Sequence, residues 1–402
     1  MQTGSRLTDL ECRACCTRRT ADTPVGACPT CGHTLFASYS TEGWDGTSWW
    51  KELAGRPATL WRYRELLPVR DDRFVATLGE GFSPILGLGE VDGVPGVRVS
   101  VKDDGSMPTG SFKARGMAVA VSRARELGLR ELFVPSAGNA GTALAAYSAR
   151  AAISARVYVP ERTPGPIKQA IRSYGAELVE VPGTIREAGE AARAREKGRG
   201  SFDMSTLREP YRVEGKKTMG FEIVEQSGPN GLPDAIVYPT GGGTGLVGMA
   251  KAFRELSSLG LLERVPRLYS VQPMGCAPVV KALAEGSAKV APWPNPTTIA
   301  PGLLVPAPFA SERILEAVRD TRGGGVTVTD AEIVGAMRGL ARDHGVSASP
   351  EAAAPYAALP HLLKSGAIRT GEHVLLYLTG TGLVFGVDEL ERAAAAPPPR
   401  SA

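Results

Sequence analysis

Lys113 stands in the run Ser106-Met107-Pro108-Thr109-Gly110-Ser111-Phe112-Lys113-Ala114-Arg115-Gly116, where a strand-like stretch (Val97 to Val101) gives way to a helix-like one (Met117 to Leu127). That spacing puts the lysine at a helix N-terminus, where the positive end of the helix dipole disfavours an ammonium. A lysine held partly neutral there is ready to attack a carbonyl. Three further turns have the composition of a binding site. In Pro135-Ser136-Ala137-Gly138-Asn139-Ala140-Gly141-Thr142 the small residues leave backbone N–H groups open at a helix start, which suits a carboxylate, and Asn139 adds an amide. Pro239-Thr240-Gly241-Gly242-Gly243-Thr244-Gly245 lies between a strand-like run at 235–238 and a helical one at 246–257, a nest that can wrap a phosphate. Leu378-Thr379-Gly380-Thr381-Gly382 places a hydroxyl at the end of a late strand.

The Gly241–Gly245 run lacks the Gly-x-Gly-x-x-Gly spacing and acidic partner of a dinucleotide site, and the Lys-Ser/Thr ending of a nucleotide P-loop. Its phosphate therefore belongs to another ligand. A reactive lysine, a phosphate cup, a carboxylate loop and a strand-end hydroxyl together describe a site for pyridoxal phosphate. The lysine forms the Schiff base, the cup holds the 5′-phosphate and the hydroxyl meets the pyridine nitrogen.

A second constellation is separate from these turns. Five of the six cysteines fall in the first thirty-one residues, and Cys12, Cys15, Cys28 and Cys31 form Cys-x2-Cys-x12-Cys-x2-Cys with strand-like flanks. Four thiolates at that spacing can converge on one tetrahedral zinc. Such a closed site is structural, not catalytic. A ribbon that keeps its fold without a metal is the alternative. Cys16 is left over as an extra thiol.

The elements that must position these groups alternate from Thr77 onward. Short β-branched runs at 132–134, 156–159, 178–181, 235–238, 268–271 and 374–378 are separated by Ala/Arg/Glu-rich helical stretches. This is βαβ organisation with parallel sheets, whose ligands sit outside the carboxyl ends of the strands. The chain has 402 residues, of which 43% are hydrophobic and 22% charged, with net charge +4 and no long basic run. That balance points away from nucleic acid. The longest apolar stretch, Val374 to Val387, is too short to span a bilayer, and the first thirty residues carry no apolar leader, so a cytoplasmic protein is expected.

Taken together, Pro108-Thr109-Gly110-Ser111-Phe112-Lys113, Ser136-Ala137-Gly138-Asn139-Ala140, Gly241–Gly245, Leu78–Pro84, Pro210–Thr218 and Ser349–Ala353 resemble the fold-type II pyridoxal-phosphate enzymes, threonine synthase-like proteins most of all. The resemblance covers most of the chain and implies an α/β fold with two open-sheet domains behind an N-terminal zinc-ribbon-like module. It implies Lys113 as Schiff-base lysine and base, Phe112 beside the ring, Asn139 on the 3′-oxygen, Gly241, Gly242, Gly243, Thr244 and Gly245 around the phosphate, and Thr379 at the pyridine nitrogen. It also implies Ser136 and the N–H groups of Ala137, Gly138, Asn139 and Ala140 on the substrate carboxylate, Arg212 on a substrate phosphate, and a homodimer. The departures fall on the substrate side. Met107 and Ala114 replace an Asn and an Asp, Leu207 stands where Ser is frequent, Ala140 where Thr is common, and Gly242 where some members place Asn.

The expected organisation is a ribbon at 1–40, an arm and the start of the large domain at 41–95, a catalytic core at 96–390 with a small subdomain inserted at about 110–215, and a disordered tail at 391–402. The expected reaction is elimination or replacement on a small amino acid, first of all O-phosphohomoserine and water to threonine and phosphate. The alternatives are cysteate synthase-like replacement on O-phosphoserine and serine/threonine ammonia-lyase chemistry. A module that keeps the fold without turnover is the reading from a different class.

Overall fold

The computed structural model describes residues 4–136 and 138–395. Its strands are, in chain order, β1 (Leu7–Cys12), β2 (Arg18–Thr20), β3 (Leu35–Tyr39), β4 (Ile85–Gly89), β5 (Arg98–Asp103), β6 (Glu131–Pro135), β7 (Ser154–Pro160), β8 (Glu177–Val181), β9 (Phe202–Asp203), β10 (Ala235–Pro239), β11 (Arg267–Pro273), β12 (Gly324–Val328) and β13 (His373–Leu378). The chain divides into two compact units. The first comprises the residues through Phe82, Met107–Glu222 and Lys251–Glu263, and the second comprises Ser83–Ser106, Ile223–Ala250 and Arg264 onward.

The first unit holds the antiparallel sheet β2-β1-β3 and the parallel sheet β8-β7-β6-β9. Helix Lys113–Glu126 packs against helix Asn139–Ala151, and both have near-continuous small apolar faces (Ala114, Ala118, Val121; Ala143, Leu144, Tyr147) in one core with β6 and β7. The ribbon docks on this core through shared apolar packing, with Leu10, Leu35 and Ala37 in the same cluster as Met117 and Val121, and through hydrogen bonds that fall on main-chain carbonyls. Arg123 Nη2 donates to the Ala21 carbonyl at 2.7 Å and Lys251 Nζ to the Ala37 carbonyl at 2.7 Å. The Thr34 hydroxyl donates to the Leu207 carbonyl at 2.7 Å.

The second unit is built on the six-stranded sheet β12-β11-β10-β13-β5-β4, parallel except for β4. Its central strands β10 and β13 are apolar almost throughout, as strands covered on both faces must be. Helix Asp330–His344 starts from a capping box, with Thr329 and Glu332 bonding each other's N–H groups, and stops at left-handed Gly345. Helix Pro350–Lys364 lays Ala352, Ala353, Ala354 and Ala358 on the sheet core. The tail departs from the expected disorder over 391–395, which belongs to helix Val387–Ala395. Val387 and Leu390 pack on the unit's core, and Arg338 pairs with Asp388 and Glu391. Residues 396–402 lie outside the described residues.

One polar cluster stands inside the first unit. The buried Glu214 carboxylate meets Lys217 Nζ at 2.7 Å and Lys251 Nζ at 2.6 Å and accepts the Tyr39 hydroxyl at 3.0 Å, while Glu255 reaches both ammonium groups at 2.9 and 3.1 Å. Burial alone would raise its pKa, but the two ammonium groups hold Glu214 below the usual carboxylate range. Replacing Glu214 by Gln leaves two buried ammonium groups short of a counter-charge. That should lower stability by about 3–5 kcal/mol in denaturant or thermal unfolding; a loss below about 1 kcal/mol would show that the cluster is solvated.

Candidate active site and metal centre

Lys113 is the first residue of helix Lys113–Glu126, as its spacing predicts, and is half-buried. Its Nζ lies 4.0 Å from the centroid of the Phe112 ring. A second ammonium, that of buried Lys216, lies 4.4 Å from the same centroid and donates to the Phe112 carbonyl. The turn before the helix is tight: Thr109 adopts a left-handed conformation at φ +62°. The hydroxyls of Thr109 and Ser111 are buried without hydrogen-bond partners among the described residues.

The carboxyl end of the four-stranded sheet carries the carboxylate-loop candidates. Helix Asn139–Ala151 starts directly after β6. The Ser136 hydroxyl accepts from Gly138 N at 3.1 Å and Gly141 N at 2.9 Å and donates to the Gly138 carbonyl at 3.0 Å. Ser136 thus holds the helix start together and occupies two of the N–H groups that sequence reasoning left open. Asn139 and Ala140 are half-buried, and the Asn139 amide has no partner among the described residues. Ala137 lies outside the described residues.

β9 pairs with β6, so its exit, Met204 to Arg212, leaves the same end of the sheet. Arg212 starts the next helix, is 3% exposed and donates through Nη1 to the Met204 carbonyl. Its Nε makes no hydrogen bond among the described residues. Glu209 caps this helix by accepting from Tyr211 N at 2.7 Å and Arg212 N at 3.0 Å. Burial pushes the Glu209 carboxyl up to about 7, against the pull of the Arg212 charge. Leu207 is buried at φ +59°, its carbonyl held by the ribbon's Thr34.

Within the second unit, β10 and β13 are parallel neighbours, with Val237 opposite Leu376. Their carboxyl ends lie side by side and release Gly241–Gly245 and Thr379. Helix Thr244–Ser258 begins inside the glycine turn, so its first N–H groups are available to an anion. Gly243 is left-handed at φ +71°, and a Cβ there would overlap Ile314; a Cβ on Gly245 would overlap the Tyr238 ring. A Cβ on Gly241 would likewise overlap the Gly302 carbonyl, so these three positions admit no side chain. Gln272 fixes the approach, donating to the Thr240 carbonyl at 3.0 Å and accepting from Val279 N at 2.8 Å. Thr379 is buried, and its hydroxyl makes no hydrogen bond among the described residues.

The four cysteines meet as their spacing predicts. Cys12 and Cys31 Sγ are 3.4 Å apart, Cys15 and Cys28 Sγ 3.7 Å, and all four sulfurs lie within 4.8 Å of one another. A tetrahedron of sulfurs about 2.3 Å from a zinc ion has edges of about 3.8 Å, so the cluster fits that ion. Two matching knuckles produce it. The Cys12 carbonyl accepts from Cys16 N and the Cys28 carbonyl from Gly32 N, each at 2.8 Å, and Cys16 and Gly32 are both left-handed. The Thr17 hydroxyl and amide draw the Cys15 thiol down to about 6, whereas the Cys31 thiol, against the pull of the His33 amide, is pushed up to about 12 by burial and the neighbouring sulfurs.

Sequence reasoning missed Lys216 and Glu209 as individuals. A Lys-Lys pair and a Glu before proline look like solvated charge, and only their burial against Phe112 and the helix start sets them apart.

Comparison with known proteins agrees with the geometry. The family model described as "Pyridoxal-phosphate dependent enzyme" matches residues 76–380. Threonine synthase of Methanocaldococcus jannaschii is 34% identical over 356 residues, covering 88% of this chain and 87% of that protein. Threonine synthase of Methanosarcina acetivorans is 33% identical over 376 residues, 92% of this chain and 91% of that protein. Among solved structures, a threonine deaminase from T.th. superposes with a TM-score of 0.63 at 29% identity, covering 76% of this chain and 94% of the other. Maize serine racemase, at 20% identity and TM-score 0.66 over 77% of this chain and 91% of the other, shares the fold.

The residues present fit a pyridoxal phosphate: the helix start at Thr244 has N–H groups for a phosphate, Thr379 a hydroxyl without a partner among the described residues, and Lys113 a half-buried amine.

Glu209 gives a prediction whose sign is fixed. Its folded pKa of about 7 exceeds the unfolded value of about 4.3, so its contribution to stability is full below about pH 4 and is lost as pH rises through 7. The Gln variant keeps an acceptor for the two N–H groups and removes this term. Relative to wild type it should gain on the order of 3 kcal/mol between about pH 5 and pH 8 in unfolding experiments; parallel pH profiles would refute the assignment.

Proposed function

Because the chain belongs to the pyridoxal-phosphate dependent enzyme family, with pyridoxal phosphate as cofactor and threonine synthase-like lyase chemistry, we propose that it converts O-phosphohomoserine and water to threonine and phosphate. One observation carries the reading: likeness to proteins named threonine synthase runs through 88% and 92% of this chain at 34% and 33% identity. The bound cofactor supplies the electron withdrawal that makes protons at substrate Cα and Cβ removable.

The chain's own residues divide the remaining work. Lys113 is the cofactor-binding lysine and the base that moves those protons. Gly241, Gly242, Gly243, Thr244 and Gly245 take the cofactor phosphate, Asn139 its 3′-oxygen and Phe112 one side of its ring. Thr379 meets the pyridine nitrogen as a neutral partner. The N–H groups of Asn139 and Ala140 orient the substrate carboxylate, on a turn that the Ser136 hydroxyl holds through Gly138 and Gly141. Arg212 binds the leaving phosphate, and its unbonded Nε supports that role. Across the reaction the Cγ–O bond to phosphate breaks, and the hydroxyl of water adds at Cβ. Cys12, Cys15, Cys28 and Cys31 hold a structural zinc that keeps the ribbon seated on the core.

A second reading has its own support. Leu207, Ala140 and Gly242 offer no polar side chain to a substrate phosphate, and a phosphate binds tightly only through several charge-assisted bonds. Ammonia-lyase chemistry on serine or threonine needs no such site, and the likeness to a threonine deaminase accords with it.

Purified protein loaded with pyridoxal phosphate should release phosphate and threonine in equal amounts from O-phosphohomoserine. No threonine at substrate saturation overturns the proposal, and 2-oxo acid with ammonia from threonine or serine selects the second reading. Lys113→Ala should cost at least about 10²-fold in kcat. Arg212→Gln should raise KM for O-phosphohomoserine about tenfold while leaving any turnover of threonine unchanged. Chelation should release one zinc per chain and lower the thermal midpoint; a metal-free protein of unchanged stability would remove zinc from the account.

A further inference from the structure

The four-stranded sheet of the first unit carries a recess at its other end. Opposite the end that carries Ser136 and Arg212, at the first residues of β6, β7 and β8, lies a recess of about 480 Å³. That volume falls in the range of small-ligand sites, about 300–1,000 Å³. Glu131, Ser154 and Glu177 begin the three strands there, and helices Asn139–Ala151 and Gly165–Ser173 both end there.

Five features suit the recess to a cation. Both helices point their negative dipole ends at it, which favours a cation. The Glu131 carboxylate, half-buried, has no partner among the described residues. The other charges cancel: Arg156 bonds Glu177 at 2.6 Å and both Glu196 oxygens at 2.7 Å, and Arg195 bonds Glu177 at 2.8 Å. Ser148, on the lining and 1% exposed, has a hydroxyl without a hydrogen bond. A buried hydroxyl is costly to leave unbonded, so its place on a cavity wall marks a ligand or water position. Tyr174, 42% exposed, adds a ring that can cover a cation or an alkyl chain.

We propose that this recess binds a small primary amine that carries no carboxylate, its ammonium neutralised by Glu131 and hydrogen-bonded by Ser148, its chain lying against Tyr174. An amino-acid zwitterion is excluded because the one lining cation among the described residues, Arg156, is already saturated by two carboxylates. The site is separate from the chemistry, but helix Asn139–Ala151 spans from one to the other: its first turn carries Asn139 and Ala140, and its last turn lines the recess. Over its thirteen residues that is a rigid connection of about 20 Å.

Calorimetric titration of the holoenzyme with putrescine, ethanolamine and threonine, with hydrogen exchange read in parallel, tests the proposal. Putrescine and ethanolamine should bind saturably and slow exchange over residues 148–156, whereas threonine should leave that segment unchanged. Glu131→Gln should weaken amine binding by about tenfold or more. Ser148→Ala and the exposed-surface variant Tyr174→Ala should each weaken it, and Lys113→Ala should bind the amine as wild type does. No saturable amine binding, wild-type affinity in both Glu131→Gln and Ser148→Ala, or equal protection of 148–156 by threonine overturns it. None of these readouts depends on which amino acid is turned over.

Discussion

The interaction on which the first unit depends is the contact of one carboxylate with two ammonium groups and a phenol. Glu214 joins Lys217 on its own helix, Lys251 on helix Thr244–Ser258, and Tyr39 on the last ribbon strand. The three charged groups are buried, and a charge removed from water is tolerable only while its counter-charge stays in place. The cluster therefore fixes three elements relative to one another more stringently than apolar packing, which accepts small slips. Two residues before Glu214, on the same helix, is Arg212, and two residues after it is Lys216, against the Phe112 ring. The placement of both cations relative to the ribbon and helix Thr244–Ser258 is thus set by an electrostatic knot with no chemical role of its own, while the buried Arg115–Glu222 pair ties their helix to the one that starts at Lys113.

Much of this arrangement is legible in the sequence because its signals are local. β10 and β13 are uninterrupted apolar runs ending in glycine or threonine, and a strand buried on both faces has to be written that way. The helix start at Lys113 and the cysteine knuckles are likewise set by residues within a turn of each other. What escaped detection is set by distant partners. β4 (Ile-Leu-Gly-Leu-Gly) and β12 (Gly-Gly-Val-Thr-Val) read poorly as strands because glycine weakens them, and they become strands by adding to the edges of a sheet already formed. Lys216 and Lys217 read as solvated. Their burial is decided by Phe112, about a hundred residues earlier, and by Glu255, nearly forty later.

Leu207 shows how fold and substrate specificity become entangled. In the sequence it is a lost polar contact. In the structure it is a buried left-handed residue whose carbonyl anchors the ribbon through Thr34, five residues before Arg212. A position that could address a substrate is here committed to holding the loop that carries Arg212. With the Ser136 hydroxyl also engaged by its own helix start, the first unit has spent polar groups on rigidity at the end of the sheet where the reading above places the substrate.

The ribbon's attachment has a consequence for how this protein can change over generations. Its grips fall on backbone oxygens: Arg123 on Ala21, Lys251 on Ala37, and Thr34 reaching back to the Leu207 carbonyl. A backbone oxygen is present whatever side chain its residue bears, so the first two contacts place no demand on the side chains of Ala21 and Ala37, whereas Thr34, and Tyr39 on Glu214, need their hydroxyls. Substitutions can accumulate along its loops away from Thr34, Tyr39 and the four cysteines. The module stays seated as long as the strand path that presents those oxygens survives. The core residues that hold it, buried and charged, have no comparable freedom, so variation within this lineage should gather on the ribbon side of the seam and thin out on the other.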